Sequence, residues 1–196
     1  MSLIGQNTTT TFLPWETYLS LVAKLERDKN YKFCLLIAVG VNTGLRIGDL
    51  LKLKLSDVLN NEKFKIIERK TGKERNIKIN KDLRVILDRV IPKYLNIEKD
   101  SLLFLNRFAT KAIDKSYVNV KFKEICKHYK IKVDGNISSH TFRKTLGRRV
   151  AEVHNYSNKS FMELSRLFNH SNTTVTRTYL GITEGEIDEL YDSLCA

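Results

Sequence analysis

Apolar residues recur at helical spacing soon after the chain begins. In WETYLSLVAKLER, Trp15, Leu19, Val22 and Leu25 fall on one stripe, and Pro14 suits a first turn. YKFCLLIAVGVNTG is apolar nearly all round, which predicts a buried helix stopped by Gly44 as its C-cap. RIGDLLKLKLSDV predicts a third, short helix. The period then changes. EKFKIIERK and ERNIKI alternate or carry β-branched residues, with Thr71-Gly72 between them, so a β-hairpin is expected that turns over 70–73. Helical spacing resumes at 81–93 and 115–130. Asp134-Gly135 marks a turn, and Ser138 or Ser139 caps a helix through HTFRKTLGRRVAEVH. Short helices are expected at 159–168 and 173–180, and an acidic final helix at 183–194. The expected fold class is mainly α with a small antiparallel β-sheet (α+β). Residues 1–12, polar and Thr-rich, read as an arm or linker whose Met1-Ser2-Leu3 resembles an expression remnant; residues 13–196 read as one domain with 183–196 as its tail.

Charge narrows the partners. The 196 residues hold 34 Lys and Arg against 22 Asp and Glu, a net charge of +12. A basic excess of this size favours polyanions, nucleic acid before anionic membrane. No stretch reaches the roughly 18 apolar residues of a membrane span, and the first residues lack the basic and apolar regions of a secretory signal. Cys34, Cys126 and Cys195 form no C-x-x-C pair and read as reduced thiols, with no bound metal expected.

Several local patterns carry chemistry. His140 and Arg143, three residues apart, share a helix face in a first turn, where free N–H groups and the helix dipole favour an anion. A bidentate guanidinium and a titratable imidazole suit a phosphate there; a basic surface helix fits the same residues. Arg46 sits at a tight corner after Gly44, with Asp49 placed to hold its guanidinium; an ordinary ion pair worth about 0.2–0.5 kcal/mol fits too. Lys70 lies in the basic turn ERKTGKERN, where Lys73 and Arg75 rival it and a solvated turn is the plain alternative. NHSNTTVTRTYLG, residues 169–181, runs from His170 to Tyr179 through hydroxyls, an amide and Arg177. It reads either as a segment with an aromatic anchor or as the mobile carrier of a nucleophile.

Together TGLRIGDLL, KTGKER, HTFRKT and NHSNTTVTRTY, in this order and spacing, resemble the catalytic domain of the tyrosine recombinases, the phage-integrase family. The resemblance runs from about Phe12 to Tyr191. It implies that Arg46, Lys70, His140, Arg143, His170 and Tyr179 are the catalytic set, that Asp49 supports Arg46, and that Lys73, Arg75 and Lys144 contact DNA. Two departures stand out. Asn169 replaces the glycine that usually precedes the second histidine, and Leu180-Gly181 follows the tyrosine where relatives often have a histidine.

The implied reaction is strand cleavage and rejoining through a 3′-phosphotyrosyl link. Arg46, Arg143 and His170 would stabilise charge on the scissile phosphate. Tyr179, a phenol of ordinary pKa about 10, would attack with His140 as base, and Lys70 would protonate the leaving 5′-oxygen. No cofactor, ATP or metal is called for. The implied partner is double-stranded DNA, bound by a homo-oligomer, a tetramer on DNA that is monomeric when free, in the bacterial or phage-derived cytoplasm near the nucleoid. Relatives carry an upstream core-binding domain that this sequence does not show, and their C-terminal segment docks on a neighbouring protomer. A helical DNA-binding regulator without catalysis is the alternative, though it needs no such complete set of side chains; a relaxing topoisomerase fits the length and spacing less well.

Overall fold

Helix α2 (Tyr31–Thr43) is buried from Phe33 to Val41, as a helix apolar on every side must be. The computed structural model describes residues 10–94, 98 and 100–182. The chain divides after Thr145 into two units, residues 1–145 and 146–196. Most of the expected arm, residues 1–9, and the expected tail helix lie outside the described residues, as does Cys195.

In the first unit α1 (Trp15–Arg27) and α5 (Lys81–Tyr94) pack on α2. The inward face of α1 is Tyr18, Leu21, Val22 and Leu25. Leu19, expected on that stripe, is exposed; Tyr18 takes the inward place and its hydroxyl accepts from Asn42 at 2.7 Å. Helix α6 (Lys115–His128) closes the core with Val118, Phe122 and Ile125. Cys34 and Cys126 are buried thiols whose pKa values desolvation pushes up to about 12. Of the arm, Thr11 N–H bonds to the Asn136 carbonyl at 2.9 Å. Leu13, the first residue of the expected domain, is buried with its N–H on Thr145 Oγ1 at 2.9 Å.

The expected third helix is two four-residue helices, α3 (Ile47–Leu50) and α4 (Leu55–Val58). The break has a physical cause in the sequence. Leu51, Leu53 and Leu55 are buried while Lys52 and Lys54 are exposed, a period of two that a helix cannot bury. The chain turns at Leu51-Lys52 instead, and Lys54 is extended and forms an antiparallel bridge with Leu102. Leu53 accepts from Leu103 N–H at 2.7 Å, and Leu55 N–H donates to Ser101 at 2.9 Å.

The hairpin forms as expected, with β1 (Lys63–Ile67) antiparallel to β2 (Glu74–Lys78) and the buried pair Phe64–Ile77 in register. Gly72, at φ +65°, makes the turn. Helix α7 (His140–Val153) begins in the first unit, and the division falls within it. The second unit adds α8 (Asn158–Phe168) and α9 (Thr173–Leu180), whose apolar sides Phe161, Leu164, Phe168 and Leu180 cluster with Ala151 and Ile182.

One contact fixes the start of α7. A Cβ on Gly40 would stand 2.8 Å from the ring of Phe142 and 3.1 Å from Leu50. Phe142 is itself fully buried and packs at 4.9 Å on the ring of Phe122, so it has no room to yield. Gly40→Ala is expected to destabilise the protein by about 1–3 kcal/mol, the usual cost of overpacking. Chemical denaturation of the two proteins checks this; equal midpoints would show that the ring moves freely.

Candidate active site

The corner after α2 places Arg46. Gly44 is left-handed at φ +59°, and its N–H closes the helix on the Gly40 carbonyl at 3.1 Å. Arg46 follows in extended backbone as the N-cap of α3. Its Nη1 donates to Glu68 Oε2 at 2.7 Å. Glu68 is almost fully buried, and its other oxygen, Oε1, accepts from Arg75 Nη1 at 3.0 Å. The Thr71 hydroxyl donates to Oε2 at 3.0 Å. Burial pushes the Glu68 pKa up, but the hydrogen bonds from Arg75, Arg46 and Thr71 outweigh it and hold the carboxyl below its ordinary range. Asp49, expected to brace Arg46, is buried and accepts the Arg69 N–H at 2.9 Å, which fixes the end of the hairpin strand. The carboxylate found on the Arg46 guanidinium is Glu68.

The start of α7 supplies the opposite wall. Of the two serines, Ser138 acts as cap: its Oγ accepts from His140 N–H at 3.2 Å. Arg143 is buried, and its Nη1 donates to the Gly44 carbonyl. That bond ties α7 to the corner that carries Arg46. Arg46, Lys70, His140 and Arg143 thereby line one cleft of about 370 Å³, together with Asp49, Lys115 and Ser139. Partial desolvation in this cleft lowers the His140 pKa below its usual 6.5, and Lys115, Arg143, Lys144 and Arg46 lower it further by their charge. The shift favours the neutral imidazole.

Two cleft residues, and one carboxylate bound to a cleft residue, went unseen in the sequence. Lys115 opens α6 after its N-cap Asp114; nothing in KSYVNV separates it from the other lysines. Ser139 offers a buried Oγ without a hydrogen-bond partner among the described residues, while its N–H is held by Asn119 at 2.8 Å. Glu68 reads in ERK as one more solvated charge. Of the expected DNA contacts, Lys73 is exposed, the Arg75 guanidinium lies on buried Glu68, and Lys144 is buried.

In the second unit His170 and Tyr179 come together. The segment between them is mostly α9, opened by Asn172, whose Oδ1 accepts from Val175 N–H at 2.9 Å. Thr176 is fully buried and pairs its hydroxyl with His170 Nδ1 at 3.0 Å and Ser165 Oγ at 2.8 Å. The Tyr179 ring meets His170 edge-on at 5.2 Å and Phe168 at 5.8 Å. The segment 169–181 is therefore mostly a capped helix with one buried hydroxyl bonded to the histidine. Asn169 ends α8 in left-handed backbone, φ +51° and ψ +50°. That is a conformation glycine adopts freely and Asn tolerates, which accounts for the departure seen there.

The Phage integrase family profile matches residues 12–186. The chain belongs to the phage integrase family of tyrosine recombinases. Among curated relatives, it is 30% identical over 158 residues to the Probable integrase/recombinase YoeC of Bacillus subtilis (strain 168), which covers 80% of this chain and 81% of YoeC. It is 27% identical over 157 residues to the tyrosine recombinase XerC of Caldanaerobacter subterraneus subsp. tengcongensis, covering 79% of this chain but only 42% of that protein. Among solved structures, XerA recombinase matches 96% of this chain and 66% of its own at a TM-score of 0.72 and 18% identity. A lambda integrase dimer bound to a COC′ core site matches 93% and 51% at a TM-score of 0.67 and 18% identity. The family fold is thus that of a recombinase catalytic domain, and this chain spans about half the length of several of its relatives. No helix among the described residues is long and apolar enough to cross a membrane.

The lowered His140 pKa is open to direct test. An NMR titration of the four histidines is expected to place His140 below 6.5. Lys115→Ala removes a like charge and should move the midpoint upward. An unmoved midpoint would show that Lys115 does not face the ring.

Proposed function

We propose that the chain is the catalytic domain of a site-specific DNA recombinase that works by transesterification without metal or ATP. The observation that carries this reading is the gathering of Arg46, Lys70, His140 and Arg143 on one cleft. Those residues come from three separate stretches of chain, and a mere DNA binder has no need to converge them. Two guanidiniums stabilise negative charge on phosphoryl oxygens in the way a metal ion otherwise would. A neutral imidazole is able to accept a proton, which a protonated one is not.

In the proposed reaction the Tyr179 hydroxyl attacks phosphorus and its proton passes to His140. The bond to the 5′-oxygen breaks, and Lys70 protonates the departing oxygen. Arg46, Arg143 and His170 contact the phosphate. The ester formed retains the energy of the bond it replaces, so a 5′-hydroxyl from another strand reverses the step and no ATP is consumed. DNA is held mainly through its phosphates by exposed basic residues such as Lys73, which implies steep salt dependence. The assembled form on DNA is a homotetramer, built from chains that are monomeric when free. Asp49 supports the cleft by fixing the hairpin end.

Covalent capture tests the reading. The protein is incubated with labelled, nicked duplexes carrying a randomised core, and adducts are recovered under denaturing conditions and sequenced. Wild type is expected to yield a labelled adduct that Tyr179→Phe abolishes, and Arg46→Ala should lower its rate by about 10²–10³-fold, as loss of one transition-state donor does. Adduct persisting in Tyr179→Phe would remove Tyr179 from its role. DNA retention with no adduct at all would favour a regulator instead. Sedimentation of the protein with a selected duplex should show four chains per complex, and a lone dimer would refute the tetramer.

A further inference from the structure

Glu68 has no part in the reaction just described, yet its carboxylate accepts from three side chains beside the cleft. One oxygen takes the Arg46 guanidinium and the Thr71 hydroxyl; the other takes Arg75. Its backbone is equally engaged. The Glu68 carbonyl accepts from Gly72 N–H at 2.8 Å and Thr71 N–H at 3.3 Å, while its own N–H donates to the Lys73 carbonyl at 2.9 Å. These bonds close the turn 68–73, and Lys70 rides at its tip. The residue is about 1% exposed. A carboxylate so buried is tolerated only with its partners in place, so its geometry and theirs are set together.

Arg46 and Lys70 belong to elements that share no strand or helix. Arg46 follows α2, and Lys70 sits on the hairpin turn. Asp49, through Arg69 N–H, makes a second tie between the same two elements, but it reaches neither the Arg75 guanidinium nor the Thr71 hydroxyl that Glu68 holds. A flexible basic turn samples many positions, and a lysine on it meets a leaving oxygen only part of the time. Misplacement by about 1 Å is enough to cost a large part of a rate.

We propose that Glu68 is a positioning residue for strand cleavage, one carboxylate that sets Arg46 and the Lys70 turn in a single arrangement so that both cations meet the same phosphodiester. This rests on the reading of the cleft as the phosphate site. Thr71 is the link specific to the turn. Arg75 balances the charge of Glu68, which explains why a second guanidinium lies inside the hairpin, where it reads DNA poorly.

The test separates the two cations by the chemistry of the leaving group. A 5′-bridging oxygen needs a proton as it departs; a 5′-bridging sulfur leaves as thiolate and needs none. Adduct rates are measured for full-length wild type, Glu68→Gln, Glu68→Asp and Thr71→Val on a captured duplex carrying either atom at the scissile bond. Glu68→Gln is expected to lose about tenfold or more on oxygen, with DNA affinity held within about twofold, since the loss lies in the transition state. On sulfur part of that deficit should vanish and the share due to Arg46 should remain. Glu68→Asp, which keeps the charge, should recover part of the rate. Thr71→Val keeps the Glu68–Arg46 bond and so serves if Glu68→Gln does not fold; it should slow the oxygen duplex and leave the sulfur duplex at the wild-type rate. A Thr71→Val protein equally fast on oxygen, or slowed equally on both duplexes, would overturn the proposal while the reading of the cleft stood. Absence of any Tyr179-dependent adduct in wild type would overturn both.

Discussion

A guanidinium taken out of water must find oxygen, and Arg143 is almost wholly buried. The oxygen it finds is the backbone carbonyl of Gly44. That carbonyl is available because Gly44, in left-handed backbone, ends α2 and leaves the chain turning away. The same turn delivers Arg46 one step later. The placement of two cations around one cleft therefore follows from a single helix stop. Behind it stands α2 itself, whose burial on all sides makes the corner rigid. The hairpin joins the arrangement through Glu68, and the first turn of α7 through the packing of Phe142 on Phe122.

Much of this was legible in the chain. Elements with a long, uniform period appear where the spacing predicted them, because one face or all faces had to be buried. Gly44 fulfils the capping role expected of it. Four cleft residues were nameable because each lies in a short motif whose order and spacing resemble the family. What the sequence concealed was pairing across distance. Glu68 and Arg46 are 22 positions apart, and no local rule joins them. The alternation of Leu and Lys over 51–55 was present but short, and it was masked by the helical look of the residues on either side. Lys115 and Ser139 reach the cleft only through the path of the backbone.

The second unit shows how a polar segment can be ordered. Its hydroxyls are not equivalent: Thr176 is buried against His170 and Ser165, while Thr174 and Thr178 are exposed. A buried hydroxyl able to donate and accept fixes a histidine ring more firmly than an apolar contact does. Tyr179 lies one turn or less further along the same helix, so ring and phenol are held by shared backbone. The left-handed residues Asn169 and Gly181 bound this piece at either end.

The close fit at Gly40 has a consequence for the history of the chain. Position 40 and position 142 occupy the same few cubic ångströms, so neither is free to change alone. A lineage that acquires a side chain at 40 must shrink the residue at 142 in step. The residue at 142 directly precedes the arginine that holds the Gly44 carbonyl. Drift in an unremarkable stretch of buried helix is thus constrained by the chemistry of a helix about a hundred residues away, and the two positions are expected to vary as a pair across related sequences.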